Sequence, residues 1–274
     1  MINSILVPTD FSPIANNALL YAIEFAKRCN ANIHILHVKQ VPLSDPNIPV
    51  EAYQMYIDEI NKNEQDGIEK LKAAILIDAN IKYTFHSAVG FVSDEVHSFT
   101  ENNEVDLIIM GTKGASNLTE ILIGTNAASV IGKTLIPALI IPPNFQFKPI
   151  KNILYATDYN EPEFPAFTRL VYIAEIFDAS ITVMHNKTDY DKYFKIESTF
   201  FNRNKEKLNY PNLKIVSQEQ KDTLTAIDNW IDANKNDLVV LAKHNRSFFD
   251  RLFHRSLSKR MAYHTKIPLL ILNK

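Results

Sequence analysis

The chain has 274 residues, of which 46% are hydrophobic and 22% charged, a composition typical of a globular protein long enough for two domains. A formal net charge of −2 supplies no basic field, so the composition gives no support for nucleic-acid binding. A single cysteine excludes an internal disulfide framework, and no apolar run approaches the roughly 20 residues of a membrane span. Because the N-terminus also lacks a charged leader region, we expect a cytoplasmic protein.

The first half alternates short apolar runs with amphipathic segments, which is the pattern of a doubly wound parallel sheet. We predict a first helix with Ser12 as its N-cap and Pro13 in its first turn. A second helix is predicted over roughly 50–77, where Gly67 costs about 1 kcal/mol relative to alanine, so a bend there would not be surprising. The remaining predicted elements are strands near 4–8, 32–38, 81–87, 105–110 and 138–141 and helices over Ser93–Asn102 and Thr125–Lys133.

The chain contains an internal repeat of this whole unit. Residues 5–12 (ILVPTDFS) return as 153–160 (ILYATDYN), 148 residues later, and 33–38 return as 181–186 at the same shift. Residues 106–110 and 136–141 return as 237–241 and 267–272 at a shift of 131. Two long copies of an α/β unit indicate duplicated domains, which we place at 1–145 and 150–274 with a linker over 144–149. In the second copy we predict a shorter second helix, near 192–208, a segment that lies outside the residues described below.

Three of the six glycines, Gly111, Gly114 and Gly124, fall in one segment with the spacing Gly-x2-Gly-x9-Gly-Thr. The segment follows the predicted strand at 105–110 and precedes a predicted helix. Such strand–glycine–helix junctions bind phosphate, because backbone N–H groups can approach the anion at the positive end of the helix dipole. The spacing is neither that of the P-loop nor Gly-x-Gly-x-x-Gly. The alternative is that the glycines only form turns, with Gly111 as a helix-packing contact.

The glycine spacing resembles the nucleotide-binding signature of the universal stress protein family. The opening at 7–12 (VPTDFS), the Met110-Gly111 junction and the closing strand after Pro137 support the same resemblance, which extends over nearly the whole chain as a tandem member. It implies an α/β fold of two doubly wound, Rossmann-like (HUP-like) domains, each a five-stranded parallel sheet of order 3-2-1-4-5. Strands 1 and 4 would then be neighbours, and the crevice at their carboxyl ends is where such sheets bind ligands.

The resemblance also implies a site for an adenine nucleotide, ATP or a relative, with Mg²⁺. Asp10 and Pro8 would hold the adenine or ribose end, and Val38 and Met110 would sandwich the base. Gly111 would approach the ribose, and the phosphates would be bound by Lys113, Gly114, Gly124, Thr125 and Asn126. No catalytic residue and no protein ligand for a metal is assigned. For Asp10 the alternative is a turn or helix-capping carboxylate ahead of Ser12.

The second half departs from the glycine motif. Aligned on Asp237, the positions of Gly111, Gly114, Gly124 and Thr125 hold Ala242, Asn245, Arg255 and Ser256. We therefore expect nucleotide in the first domain only and a degenerate second copy kept for packing. A different anion site could be built from the side chains of Arg246, Arg251 and Arg255. The histidines His185, His244, His254 and His264 lack the spacing of known metal sites.

Three functions compete for this sequence. The first is a non-catalytic, ATP-binding stress-response or signalling module with an unidentified protein partner. The second is a weak Mg-dependent ATPase, which stays open because a bound triphosphate with metal needs mainly positioning. The third is a ligand-free interaction scaffold. No residue near the loops resembles a poised base or nucleophile, so we favour a protein that is not an enzyme.

The last strand of each half, near 138–141 and 267–272, is short and apolar and follows an Ile-Pro pair. An unpaired apolar edge strand promotes association, so an internal partner would remove the hazard. We therefore predict an intramolecular pseudo-dimer in which these strands pair, and further association into a homodimer stays open. Neither a nucleic acid nor a membrane is expected as a partner.

Overall fold

The computed structural model describes residues 1–41, 49–112, 124–157, 164–186, 210–220, 223–243 and 266–273. The strands are β1 (Ser4–Thr9), β2 (Asn32–Lys39), β3 (Tyr83–Val89), β4 (Leu107–Gly111), β5 (Ala138–Ile141), β6 (Asn152–Ala156), β7 (Ser180–Asn186), β8 (Leu213–Gln218), β9 (Leu238–Lys243) and β10 (Leu269–Asn273). The helices are α1 (Pro13–Cys29), α2 (Val50–Leu71), α3 (Val92–Asn102), α4 (Thr125–Lys133), α5 (Phe164–Phe177) and α6 (Thr223–Asn234). No helix in these ranges is long and apolar enough to cross a membrane.

The strands form one sheet in the order β3-β2-β1-β4-β5-β10-β9-β6-β7-β8. Within each half every pairing is parallel and the order is 3-2-1-4-5, so the predicted fold class is confirmed. The halves join where β5 and β10 pair antiparallel, with Leu139 opposite Leu270. The predicted pairing of the last strands is therefore correct. Both strands are completely buried along this seam, since each is covered on both faces of the sheet.

The core has two layers, one on each face of the sheet. Successive side chains of a strand point to opposite faces, and along β1 Ile5 and Val7 enter one cluster while Leu6 enters the other. The first cluster contains the apolar faces of α1 and α5, and the second contains those of α3, α4 and α6. This alternation is why the strands appear in the sequence as continuous apolar runs.

The element boundaries differ from the predicted ones by one or two residues. β3 and β4 each begin two residues later than predicted, and β4 extends through Gly111. α2 passes through Gly67 without interruption, and the irregular part of this segment is a π-helical turn at Lys72–Leu76. The glycine is therefore not where the helix changes geometry.

An aspartate at equivalent positions of the repeat fixes the start of the first strand in each half. Asp106 Oδ2 accepts hydrogen bonds from the backbone N–H groups of Asn3 and Ser4, at 2.7 and 3.1 Å. Its repeat partner, Asp237, accepts the equivalent pair from the N–H groups at 151 and 152, both at 2.9 Å. These carboxylates lie at the amino ends of the parallel strands, opposite to the predicted ligand crevice, so the repeat retains them for structure.

Candidate functional site

The predicted crevice exists at the carboxyl ends of β1 and β4. The two strands are parallel, hydrogen-bonded neighbours, with Ile5 opposite Leu107, so their carboxyl ends lie at the same edge of the sheet. β2 lies on the other side of β1, with His37 opposite Thr9. This is the point where the strand order reverses, and ligands of open α/β sheets bind at such points.

The loop after β1 is a compact turn organised by its own side chains. Asp10 is exposed, and its Oδ1 accepts a hydrogen bond from the Ser12 N–H at 3.0 Å. Ser12 in turn caps α1 by accepting from the Ala15 N–H at 3.2 Å. The turn role considered for Asp10 is thus real, and it engages one of the two carboxylate oxygens of this exposed side chain. Pro8, predicted beside it, is buried in β1.

Phe11 completes this turn in a left-handed conformation, with φ of +60°, which costs a non-glycine residue of order 1 kcal/mol or more. Its ring compensates by packing. The ring centroid lies 4.6 Å from that of His37, and the ring also packs against Gly67 of α2 and the first core cluster. A Cβ added at Gly67 would lie 2.7 Å from the Phe11 ring. Gly67 therefore admits the ring that holds the Asp10 turn.

A buried ion cluster ties α2 to the same end of the sheet. Glu64 is 8% exposed, and its two oxygens meet His37 Nδ1 and Lys39 Nζ, each at 2.8 Å. Lys39 also donates to the side-chain oxygen of Asn61 at 3.1 Å. Burial alone would raise the pKa of Glu64, but hydrogen bonds from Lys39, Ser87 and His37 hold this pKa below its ordinary value. The cluster fixes His37, and through it the Phe11 ring.

A Glu64→Gln variant tests this cluster through its pH dependence. Because the folded-state pKa of Glu64 is depressed, its charged form contributes stability above the ordinary value of 4.5 and loses it as the pH falls below that value. The wild-type free energy of unfolding should therefore fall more steeply with acid than that of the variant. Urea unfolding at a series of pH values between neutral and 3.5 measures the difference. Parallel curves for the two proteins would contradict the assigned role.

The end of β4 brings Gly111 against the first turn of α1. A Cβ added at Gly111 would lie 2.6 Å from Ile14 Cγ2 and 3.1 Å from the Ile14 carbonyl oxygen. The helix-packing alternative for this glycine is therefore supported, and the contact links β4 to the helix that follows the Asp10 turn. Met110 is buried and Val38 partly buried in one apolar cluster, so the two predicted base contacts lie on a common face of the sheet.

The start of α4 presents backbone donors beside the end of β4. Gly124 is the N-cap, its N–H donates to the Thr112 carbonyl oxygen, and no side chain caps the helix. Thr125 and Asn126, in the first turn, are exposed. The Thr112 hydroxyl is buried, with no hydrogen-bond partner in the described part of the chain. An uncapped helix start and an orphaned hydroxyl are the features that a bound phosphate would satisfy.

Some predicted site residues lie outside the described ranges. Lys113 and Gly114 belong to the segment 113–123 between the described ends of the glycine loop. In the second half the same holds for Asp158, Asn245, Arg246, Arg251, Arg255, Ser256, His244, His254 and His264. The structure therefore gives the two ends of the first glycine loop, Thr112 and Gly124, directly joined.

Two residues of the second half can be compared with their repeat partners at the crevice. Ala242, aligned with Gly111, is buried near the end of β9. His185, the repeat partner of His37, is buried and donates from Nδ1 to the Thr157 carbonyl oxygen at 2.9 Å. Within the described ranges no three His, Cys, Asp or Glu side chains are grouped to hold a metal ion. The Nδ1 atom of His185 thus pairs with a backbone carbonyl oxygen, whereas the Nδ1 atom of His37 pairs with the Glu64 carboxylate.

The sequence did not reveal the contacts that join α2 to the Asp10 turn and to β2, which are made by Phe11, His37, Glu64 and Gly67. One signal was present, since Phe11 stands inside the VPTDFS segment and the repeat keeps an aromatic residue, Tyr159, at its position. The other three give no local signal, because their contacts join segments far apart in the sequence.

Comparison with known proteins supports this architecture. The family model described as the universal stress protein family matches residues 1–142 and again 149–273. Universal stress protein MJ0531 of Methanocaldococcus jannaschii is 31% identical over 138 residues, covering 50% of this chain and 80% of its own length. Universal stress protein MJ0577 of the same archaeon is 30% identical over 155 residues, covering 52% and 95%.

A crystal structure of a universal stress protein from Archaeoglobus fulgidus superimposes with a TM-score of 0.77 at 18% identity, covering 100% of this chain and 99% of that one. At this identity the likeness supports the fold alone, and it does so over both halves. Since the family model matches both halves of the repeat, the chain belongs to the universal stress protein family and carries two of its domains in tandem.

Proposed function

We propose that the first domain binds an adenine nucleotide, ATP with Mg²⁺, and that this binding serves a non-catalytic role in stress response or signalling. The observation that carries the proposal is the start of α4. This helix begins at the strand-order reversal without a side-chain cap, beside the buried, unpartnered hydroxyl of Thr112. Backbone donors at the positive end of a helix dipole are suited to phosphate.

Each predicted residue has a part in the proposed site. Asp10, exposed at the crevice beside Pro8, would accept from the base or ribose, and Val38 and Met110 would contact the base. Gly111, already close to α1, would allow the ribose to approach the end of β4. The N–H groups and side chains that would meet the phosphates and their Mg²⁺ are those of Lys113, Gly114, Thr125 and Asn126. Gly124 would let the phosphates approach the helix start closely, while its own N–H donates to the Thr112 carbonyl oxygen.

The proposal is tested by identifying the nucleotide that purified protein carries. Freshly purified chain is denatured, and the released small molecules are identified by mass spectrometry; we expect an adenine nucleotide. Calorimetric titration of nucleotide-free protein with ATP, with and without Mg²⁺, then gives the affinity. Failure to bind ATP, AMP or cyclic AMP at millimolar concentration would overturn the proposed function and favour the ligand-free scaffold.

The non-catalytic part of the proposal has its own support and test. Of the titratable groups described beside the crevice, Asp10 forms the turn and His37 is held by Glu64 and the Phe11 ring. His37 is therefore not free to act as a general base, and Asp10, which keeps one oxygen free, is proposed to meet the base or ribose rather than the phosphates. ADP production by the Mg-ATP complex should therefore not exceed that of a variant unable to bind ATP. ADP production that is present in the wild-type protein and absent in the binding-deficient variant would favour the weak ATPase.

We predict a stoichiometry of one nucleotide per chain. The second half replaces all three motif glycines, and Ala242 places a side chain where Gly111 has none. Calorimetry on the full chain should give a binding ratio near 1, since only the first domain keeps backbone access to the phosphates. A ratio near 2 would contradict this and point to an anion site formed by Arg246, Arg251 and Arg255.

A further inference from the structure

A cavity of about 440 Å³ lies between the two halves, at the amino ends of β4 and β5, the edge of the first domain's sheet opposite to the nucleotide crevice. Nine apolar residues line it: Met1, Ile2, Val105, Leu107, Leu135, Ile136, Pro137, Ile173 and Leu272. Its charged lining residues are Asp106 and Arg169, and α5 also contributes Tyr172. A volume of this size falls in the range of small-molecule sites.

The internal repeat shows what the other half has at the equivalent place. The repeat places Tyr21 of α1 where Arg169 stands in α5, 148 residues later. Burial, with Asp237 nearby, raises the pKa of Tyr21 well above its ordinary value. At the cavity, Asp106, the repeat partner of Asp237, lies in the same lining as Arg169. The linker residues Phe145 and Phe147 pack on Tyr21, with ring centroids 6.4 and 5.0 Å away. In the first half, aromatic packing therefore surrounds the position that Arg169 takes at the cavity, and Tyr21, Phe145 and Phe147 line a separate cavity of about 430 Å³.

We propose that the cavity lined by Arg169 is a binding site for a small amphipathic carboxylate, of the class of medium-chain fatty acids. The apolar lining would take the alkyl chain. The carboxylate would lie at the mouth, where Arg169 is exposed on α5. A guanidinium has five N–H donors in a planar fork, so it can pair with a carboxylate while keeping other contacts.

Of the two charged side chains at the cavity, we assign Arg169 rather than Asp106 to the ligand. Asp106 is committed to the start of β1, where its Oδ2 accepts from two backbone N–H groups. Its repeat partner makes the same two bonds, so this carboxylate serves the fold in both halves. Arg169 has no counterpart in the first half, where Tyr21 stands at its position. At about 30 Å³ per water-sized group the cavity accommodates on the order of fifteen non-hydrogen atoms, enough for decanoate.

The test is calorimetric titration of the full chain with decanoate below its micellar concentration. Wild-type protein should bind it, and Arg169→Gln should weaken binding about tenfold through loss of the charged hydrogen bonds. Leu135→Trp should weaken it as well by filling the mouth, where Leu135 is 72% exposed and thus replaceable without disturbing the core. Arg28→Gln, an exposed change at the end of α1, is the matched control and should bind as wild type.

Thermal unfolding of each variant confirms that it is folded. Decyltrimethylammonium, which carries the opposite charge on the same chain, should bind far more weakly than decanoate. Absence of decanoate binding, equal binding of both amphiphiles, or wild-type affinity in both cavity variants would each overturn the proposal. A variant deficient in ATP binding should still bind decanoate, so failure here is separate from failure of the proposed nucleotide site.

Discussion

Replacing Gly124 by aspartate is expected to abolish ATP binding and leave the fold intact. Gly124 has φ of −64° and ψ of 158°, a conformation that any L-residue adopts, so the substitution introduces no backbone strain. Aspartate at an N-cap accepts from the first-turn N–H groups and interacts favourably with the helix dipole. The same carboxylate would occupy those donors and repel phosphate. We expect ATP affinity to fall by at least about 100-fold, with an unchanged or slightly higher melting temperature.

Two matched variants separate charge from capping and from a general effect on α4. Gly124→Asn caps the helix without a charge, so it should weaken ATP binding less than aspartate does. Gly132→Ala lies in the same helix, where an added Cβ meets nothing within 4 Å. It should keep wild-type affinity and add up to about 1 kcal/mol of stability. Calorimetry and thermal unfolding measure both properties. Wild-type ATP affinity in the aspartate variant would show that the start of α4 is not the phosphate site.

Much of the fold could be predicted because its determinants are local or repeated. The apolar runs of β1 and β4 are continuous since both faces of the sheet are covered, and the repeat shows that each half contains one complete unit. The pairing of β5 with β10 followed from a physical need, because two short apolar edges in one chain can cover each other. The predicted carboxyl-end crevice followed from the strand order.

The support of the crevice could not be predicted, because it depends on contacts between distant segments. Glu64 is one of two buried residues described on α2, while apolar residues of the same helix, such as Tyr53 and Ile57, are only partly covered. Helical periodicity gives no indication that a carboxylate will be buried, because His37 and Lys39 come from β2. Gly111 shows a related difficulty. Its place in the glycine motif predicts a ligand contact, but the structure shows that it also lets α1 pack closely against β4.

Gly67 gives the sharpest difference between local and tertiary effects. In an ordinary helix interior, alanine would stabilise the protein by about 1 kcal/mol relative to glycine. Here the added Cβ would lie 2.7 Å from the Phe11 ring, which is packed against His37 on its other side. We expect Gly67→Ala to destabilise the fold by about 1–3 kcal/mol, in the range of overpacked cores. Urea unfolding measures the change, and Gly132→Ala, which should stabilise, is its control.

The physical cause can be isolated by removing the ring. In a Phe11→Ala background the Cβ at Gly67 meets no aromatic carbon, so Gly67→Ala should become neutral or stabilising and the two substitutions should couple strongly. The single variant Phe11→Ala should also bind ATP more weakly than wild type, because Phe11 adjoins Asp10 in the turn beside the crevice. If Gly67→Ala instead stabilises the protein as Gly132→Ala does, the ring is not held by α2. The Asp10 turn would then owe its conformation to its own hydrogen bonds alone.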